Sequence, residues 1–385
     1  MKYVVCVPDG CSDEPCEALG GRTPLEVAQM PNLARLAARS EVGRAAVIPE
    51  GFAPGSDVGN MSILGYDPAE FHTGRAPIEA ASLGLKLPAD RIAYRCNLVT
   101  VGADGTMVDF AGGHPTTADA TEIIAALDAA LGRGRGDGVL EFHPGVQYRH
   151  IMVAPADWVD ADCVPPHDLT GQPGVWPTGP ASAKVREVME ASREIVSGFG
   201  GAATQVWLWG QGFQPSMTAF SEKFGKRAGM VTAVDLVRGL AVLTDMEIVD
   251  VPTATGWYDT DYEAKRDAAI DGLNAGADLF VIHIEATDEA GHEGNAAEKV
   301  RALENWDSRV LAELIPALDS MGRWRMLLMP DHPTPLRLKT HTSDPVPYVL
   351  FDSEVDGGGG IYTEAGVADA PLVPGHELMA RLLSV

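Results

Sequence analysis

Hydrophobic positions along this chain follow two alternating rhythms. The first is a short, unbroken apolar run that ends in acid: YVVCVPDG at 3–10, DLFVIHIEATDE at 278–289 and WRMLLMPD at 324–331. Runs of this length bounded by turn formers predict strands buried on both faces. The second rhythm is helical. In TPLEVAQMPNLARLAAR the residues Leu33, Leu36 and Ala37 keep helical spacing, and Pro31 interrupts the helix. In AAEKVRALENWDSRVLAELIPAL one apolar face is formed by Val300, Leu303, Val310, Leu314 and Leu318. Strands alternating with long helices, each strand delivering an acid at its C-terminal end, predict an α/β fold with a largely parallel sheet flanked by helices.

The middle of the chain changes pattern. From about Asp90 to Ser197 a hairpin around Asp104-Gly105 is followed by a helix over ADATEIIAALDAALG. The strands VLEFHPGV and YRHIMVAPA come next, then a Pro/Gly-rich stretch. This α+β pattern reads as a domain inserted into the first, with 71–205 as the insertion and 1–70 plus 206–385 as the discontinuous host. The segment VDGGGG near the C-terminus reads as a flexible loop, and LGRGRGDG at 131–138 as a loop without a dinucleotide site.

Charge narrows the function. The sequence has 29 basic and 54 acidic residues, a net charge of −25, in a chain with 45% hydrophobic residues. Such a surface repels nucleic acid and anionic membranes. A substrate that is itself an anion then requires bound cations or a basic cluster. No apolar run approaches the roughly 20 residues of a membrane span. The opening MKYVVCVPDG lacks the features of a signal peptide, so a cytoplasmic protein is expected. The five cysteines, Cys6, Cys11, Cys16, Cys96 and Cys163, show no C-x-x-C spacing, which argues for reduced thiols and against a structural zinc ribbon.

The candidate chemistry sits in the turns after the strands. Asp288 and His292 are four apart in EATDEAGHEGN, so a helical turn or a tight loop would face both toward one metal. Asp331 and His332 are adjacent, and His341 follows in HPTPLRLKTH. Asp9 ends the first strand, and Ser56 lies in the small-residue loop EGFAPGSDVGN. Singly, each also fits a capping acid, a surface histidine or a turn. Together they form a set of O and N ligands without thiolates, as two divalent ions such as Mn²⁺, Zn²⁺ or Mg²⁺ require. Open α/β sheets gather such groups beyond the strand C-termini. Pro54 breaks a G-x-S-x-G elbow, and FGKRAG lacks the spacing of a phosphate-binding P-loop.

These residues, in this order, resemble the alkaline phosphatase superfamily. More narrowly they resemble the archaeal-type cofactor-independent phosphoglycerate mutases, through VPDGCSDEP, PGSDVGNMSILGYDP, TGRAPIEAASLG, TDEAGHEGN and MPDHPTP. RCNLVTV, PPHDLTG and RLKTHTSDPVP are also similar to bacterial members labelled proposed homoserine kinases. The resemblance implies an alkaline-phosphatase-like fold and a phosphoserine at Ser56. Asp9, Ser56, Asp331 and His332 would hold one ion, and Asp288, His292 and His341 the other. His114 would bind substrate, with Pro115 after it where the family pattern has an aliphatic residue. Arg227 and Lys339 are further substrate-binding candidates, from a wider basic set of Lys223, Lys226, Arg337, Arg75, Arg91 and Arg95. The expected reaction interconverts 3-phosphoglycerate and 2-phosphoglycerate without bisphosphoglycerate. The insertion is expected to close and keep water from the phosphoserine. Alternatives are a homoserine kinase, a phosphomonoesterase and a non-catalytic metal-binding protein. The expected partner is a small phosphorylated substrate, and the oligomeric state stays open.

Overall fold

The computed structural model of the chain describes residues 1–136 and 138–384; Asp137, in the loop expected at 131–138, lies outside them. Strands are numbered along the chain. The first two are β1 (Lys2–Pro8) and β2 (Glu41–Ala46). Then come β3 (Arg91–Val101), β4 (Met107–Asp109), β5 (Glu141–His143), β6 (Arg149–Pro155) and β7 (Gln205–Gly212). The remainder are β8 (Ala228–Val231), β9 (Glu247–Ile248), β10 (Leu279–Ile284), β11 (Trp324–Leu328), β12 (Val346–Asp352) and β13 (Leu372–Pro374).

The chain divides into two compact units, Met1–His72 with Met217–Val385, and Thr73–Ser216. The first holds an eight-stranded sheet in the order β13-β2-β12-β11-β1-β10-β8-β9. β1 runs parallel to both β10 and β11, and β10 parallel to β8, whereas β12 is antiparallel to β11 and β2. β1, β10 and β11 are the three acid-ended apolar runs, and nearly every residue in them is buried, as continuous apolar strands between helical layers must be. Val4, Cys6, Phe280, Ile282, Met326 and Leu328 share one core with Leu33, Leu36, Leu303 and Leu314. Register then fixes the site. Pro8 pairs with Ile284 and Cys6 with Leu328, so the segments carrying Asp9, Asp288 and Asp331 leave the sheet side by side.

The second unit is α+β. Its sheet runs β4-β3-β6-β5, with β7 on the other side of β3. The helices Thr117–Leu131 and Ser182–Ser197 contribute Ile124, Leu127, Val185 and Met189 to its core. β7 falls inside this unit because it pairs antiparallel with β3 from Val99 to Ala93. Among the described residues no helix is long and apolar enough to cross a membrane.

Three local expectations are corrected. VDGGGG is tied down: Gly357 N donates to Arg39 O at 2.7 Å and Gly360 N to Ala37 O at 2.9 Å. The long helix after residue 295 contains a π-helical turn, Trp306–Leu311. That turn carries the buried Asp307, whose carboxylate accepts from the backbone N–H groups of Leu33 (2.7 Å) and Asn32 (3.2 Å) at the start of the helix Pro31–Ala37. The stretch around Ser56 is not only loop, because Ser56 is the first residue of a helix, Ser56–Ile63.

Candidate metal and phosphoryl-transfer site

Four segments converge beyond the C-terminal ends of β1, β10 and β11. They are the turn at Asp9, the Ser56 helix, the helix Ala286–Glu293, and the loop that begins at Asp331. A buried ion pair pins two of them. Lys299 Nζ lies 2.8 Å from Asp13 Oδ2 and donates to Thr334 O at 2.8 Å, while the Asp13 carboxylate accepts from Leu336 N at 3.2 Å. Glycine permits the closest approaches. A Cβ on Gly59 would stand 2.0 Å from Asp331 O, so only glycine lets the Ser56 helix lie against that loop.

Asp9, Asp331 and His332 form one group, with ligand atoms all within 4.8 Å of one another, and each is buried. Ser56 Oγ joins it at 3.1 Å from His332 Nε2. Asp331 is held by Asn60 Nδ2 (2.7 Å) and Gly10 N (3.2 Å). Asp288, His332 and His341 form a second group on the same distance criterion. His292 completes it, with Nε2 at 3.1 Å from Asp288 Oδ2 and 3.0 Å from His341 Nε2. The open choice between helical turn and tight loop is resolved: Asp288 and His292 sit one turn apart on a helix. His332 borders both groups, a sharing that spacing along the chain cannot reveal.

Electrostatics fits divalent cations. Burial, then the charges of Asp331 and Asp288, push the Asp9 carboxyl well above its usual range. Asp9 Oδ1 is buried and has no hydrogen-bond partner. Burial would also raise Asp288, but its hydrogen bonds to His292 and His341 hold it well below the ordinary value. Burial likewise opposes a proton on His292, yet Asp288 lifts that imidazole to about 9. The same carboxylate that attracts the proton would attract a metal. Burial lowers His332 to about 4, leaving it neutral with a lone pair to offer. His292 Nδ1 lies 3.1 Å from the Lys339 carbonyl, which fixes the ring with Nε2 facing the group. An orphaned carboxylate oxygen, clustered acids and imidazole nitrogens without thiolates suit Mn²⁺, Zn²⁺ or Mg²⁺.

The substrate-binding candidates are scattered. Lys339 borders the second group through its carbonyl, and its side chain is exposed. Arg227 is not brought there: it precedes β8, at the N-terminal edge of the sheet, and donates to Gly276 O. His114, in the smaller unit, is exposed with φ 52° and meets Tyr148 edge-on at 5.7 Å. That unit also holds a cationic cluster that no sequence motif marks as a group. Arg95 is buried, pairs with Glu79 at 3.0 Å and lies 4.6 Å from the Trp209 ring, with Arg75 5.7 Å from the same ring. Burial, opposed by the pull of Glu79 and aided by the charges of Arg75 and Arg149, lowers Arg95 to about 10. Asn60 and Thr334 were also missed, since an ordinary Asn and Thr carry no signal. Thr334 Oγ1 lies 3.2 Å from His332 Nδ1 and donates to Asp288 Oδ1.

The sequence and the fold are similar to those of known proteins. The family described as 2,3-bisphosphoglycerate-independent phosphoglycerate mutase matches residues 37–198. A probable mutase of that name from Geobacter sulfurreducens is 42% identical over 406 residues, covering 100% of both chains. Its counterpart from Methanosarcina acetivorans is 40% identical, again over 100% of both. Among solved structures, a Pyrococcus horikoshii protein aligns with a TM-score of 0.81 at 26% identity, covering 99% of this chain and 96% of that one. A cofactor-independent phosphoglycerate mutase from Thermoplasma acidophilum aligns at 0.65 and 26% identity, covering 100% and 99%. With relatives of this identity matched from end to end, the chain belongs to the 2,3-bisphosphoglycerate-independent phosphoglycerate mutase family.

Proposed function

We propose that this chain interconverts 3-phosphoglycerate and 2-phosphoglycerate, with Ser56 carrying the phosphoryl group between the two half-reactions. The observation that carries the reading is Ser56 Oγ at 3.1 Å from His332 Nε2, at the head of a helix and beside two groups of metal-ligand type. Divalent ions held by Asp9, Ser56, Asp331 and His332, and by Asp288, His292 and His341, would neutralise phosphoryl charge and favour the serine alkoxide.

In the first half-reaction Ser56 Oγ bonds to phosphorus as the bond from O3 of the glycerate breaks. The electron pair of that bond stays on O3, which takes up the proton Ser56 gives up. Glycerate re-orients in the site. Its O2 then attacks the phosphoserine: the bond from O2 to phosphorus forms as the bond from Ser56 Oγ breaks, the electron pair stays on Oγ, and Oγ takes up the proton that the O2 hydroxyl gives up. Ser56 is the first residue of its helix, where the positive end of the helix dipole favours a phosphoryl anion. His114 and Lys339 remain substrate-contact candidates on this reading.

The test is phosphorus NMR of the Mn²⁺-loaded protein with 3-phosphoglycerate and no added bisphosphoglycerate. The expected product is 2-phosphoglycerate, abolished in Ser56→Ala. Inorganic phosphate as the sole product would replace the mutase with a phosphatase. Turnover only with ATP and homoserine would replace it with a kinase.

A further inference from the structure

Behind Asp9 lies a cluster of buried polar groups that the reaction above does not use. His283, on β10, is fully buried; its Nε2 approaches Asp9 Oδ2 to 3.3 Å and has no hydrogen-bond partner. On its other side Nδ1 lies 3.1 Å from Glu285 Oε1 and 3.2 Å from Thr232 Oγ1. Glu285 also accepts from Ala233 N at 2.9 Å and from Thr232 Oγ1 at 3.2 Å. Lys265, fully buried, donates to Glu285 Oε2 and, at 3.0 Å, to the His283 carbonyl. Asp9 Oδ1, the carboxylate's other oxygen, is buried without a hydrogen bond, 3.6 Å from His332 Nε2.

We propose that Lys265, Glu285 and His283 are positioning residues that hold Asp9 Oδ2 from behind and present Oδ1 to the ion shared by Asp9, Asp331 and His332. A buried Lys–Glu pair costs desolvation that an apolar core of similar volume avoids. Stability is therefore a weak reason for placing one here. Orientation of a ligand is a stronger one, because outer partners of metal ligands set both geometry and affinity. The array serves one carboxylate. Asp331 has its own partners in Asn60 and Gly10, and Asp288 has Thr334, so loss of His283 weakens the first ion and spares the second.

The inference rests on the two-ion reading, and the experiment separates the two. Chelator-stripped wild type, His283→Leu and His283→Gln are titrated with Mn²⁺ by calorimetry, and KM for 3-phosphoglycerate is measured at saturating Mn²⁺. Wild type is expected to take up two ions. His283→Leu should lose about 10- to 100-fold in affinity for one of them, with the other ion and KM unchanged. His283→Gln, which can keep an N–H near Asp9, should recover part of the loss. If His283→Leu does not fold, Glu285→Gln and Thr232→Val take its place and should weaken the same ion by a smaller factor. Unchanged affinities in the variants would overturn the array while leaving the two-ion reading intact. So would an equal weakening of both ions accompanied by a lower melting temperature of the metal-free protein. A wild type that takes up no Mn²⁺ would overturn the two-ion reading itself, and the array with it.

Discussion

Ser56 is half-buried, and its Oγ stands where a neutral imidazole nitrogen and two carboxylates meet. In the proposed reaction no other side chain can substitute for it. Ser56→Ala should lower kcat by at least about a thousandfold, as loss of a nucleophile does, and should abolish the phosphorylated protein seen by mass spectrometry after quenching with substrate. A variant that keeps wild-type turnover would remove Ser56 from the mechanism. A second residue-scale prediction concerns stability. His150 in the smaller unit is fully buried, accepts from Gly145 N at 3.0 Å, and is lowered by burial to about 3. Its folded value lies below that of the unfolded chain, about 6.5. The unfolded state therefore takes up a proton that the native state refuses. The contribution of His150 is complete above about pH 6.5 and is lost as pH falls toward 3. Between about pH 6.5 and 4.5 the loss amounts to roughly 2 kcal/mol. Urea unfolding of wild type and His150→Gln across that window should give a visibly shallower pH slope for the variant.

At the scale of elements, the Ser56 helix depends on Gly59. Alanine is the better helix former by about 1 kcal/mol, yet its Cβ would press on Asp331 O at 2.0 Å. The clash should win. Gly59→Ala is expected to destabilise the protein by about 1–3 kcal/mol and to lower kcat by more than about tenfold, because a shift near 1 Å displaces Ser56 and Asn60 together. Wild-type kcat and melting temperature in this variant would refute the close packing. β1, β10 and β11 were legible because parallel strands buried on both faces must be continuously apolar, and the acids after them marked the edge where they end. The Ser56 helix was not legible, because GSDVGNMS is composed of turn formers. Burial of every residue from Asp57 to Ile63 supplies what propensity does not. The Asp288–His292 spacing was visible, but the sharing of His332 between two groups depends on two loops meeting. His283 was hidden in LFVIHI, where a histidine inside an apolar strand reads as one more buried residue.

At the scale of the whole molecule, the governing quantity is a net charge of −25. Self-repulsion of that size works against the compact state, and at the candidate site Asp9, Asp331 and Asp288 concentrate it in a buried place. Two effects of added cations must then be told apart. Diffuse counterions screen exposed carboxylates beyond a Debye length that is about 8–10 Å near physiological ionic strength and shortens as salt rises. Ions held at the two groups act only on the folded state and stabilise it by mass action, about 2.7 kcal/mol at roughly 100 times Kd. Chelation should therefore lower the melting temperature, and Mn²⁺ at micromolar to millimolar levels should restore it by several degrees. The decisive comparison is made in about 0.5 M NaCl, where surface repulsion is already screened. The Mn²⁺ increment should persist there, because Asp9, Asp331 and His332 are buried, and it should shrink in Asp331→Asn. An increment that disappears with salt, or is unchanged in Asp331→Asn, would mean that Mn²⁺ acts on the acidic surface and not at the strand ends.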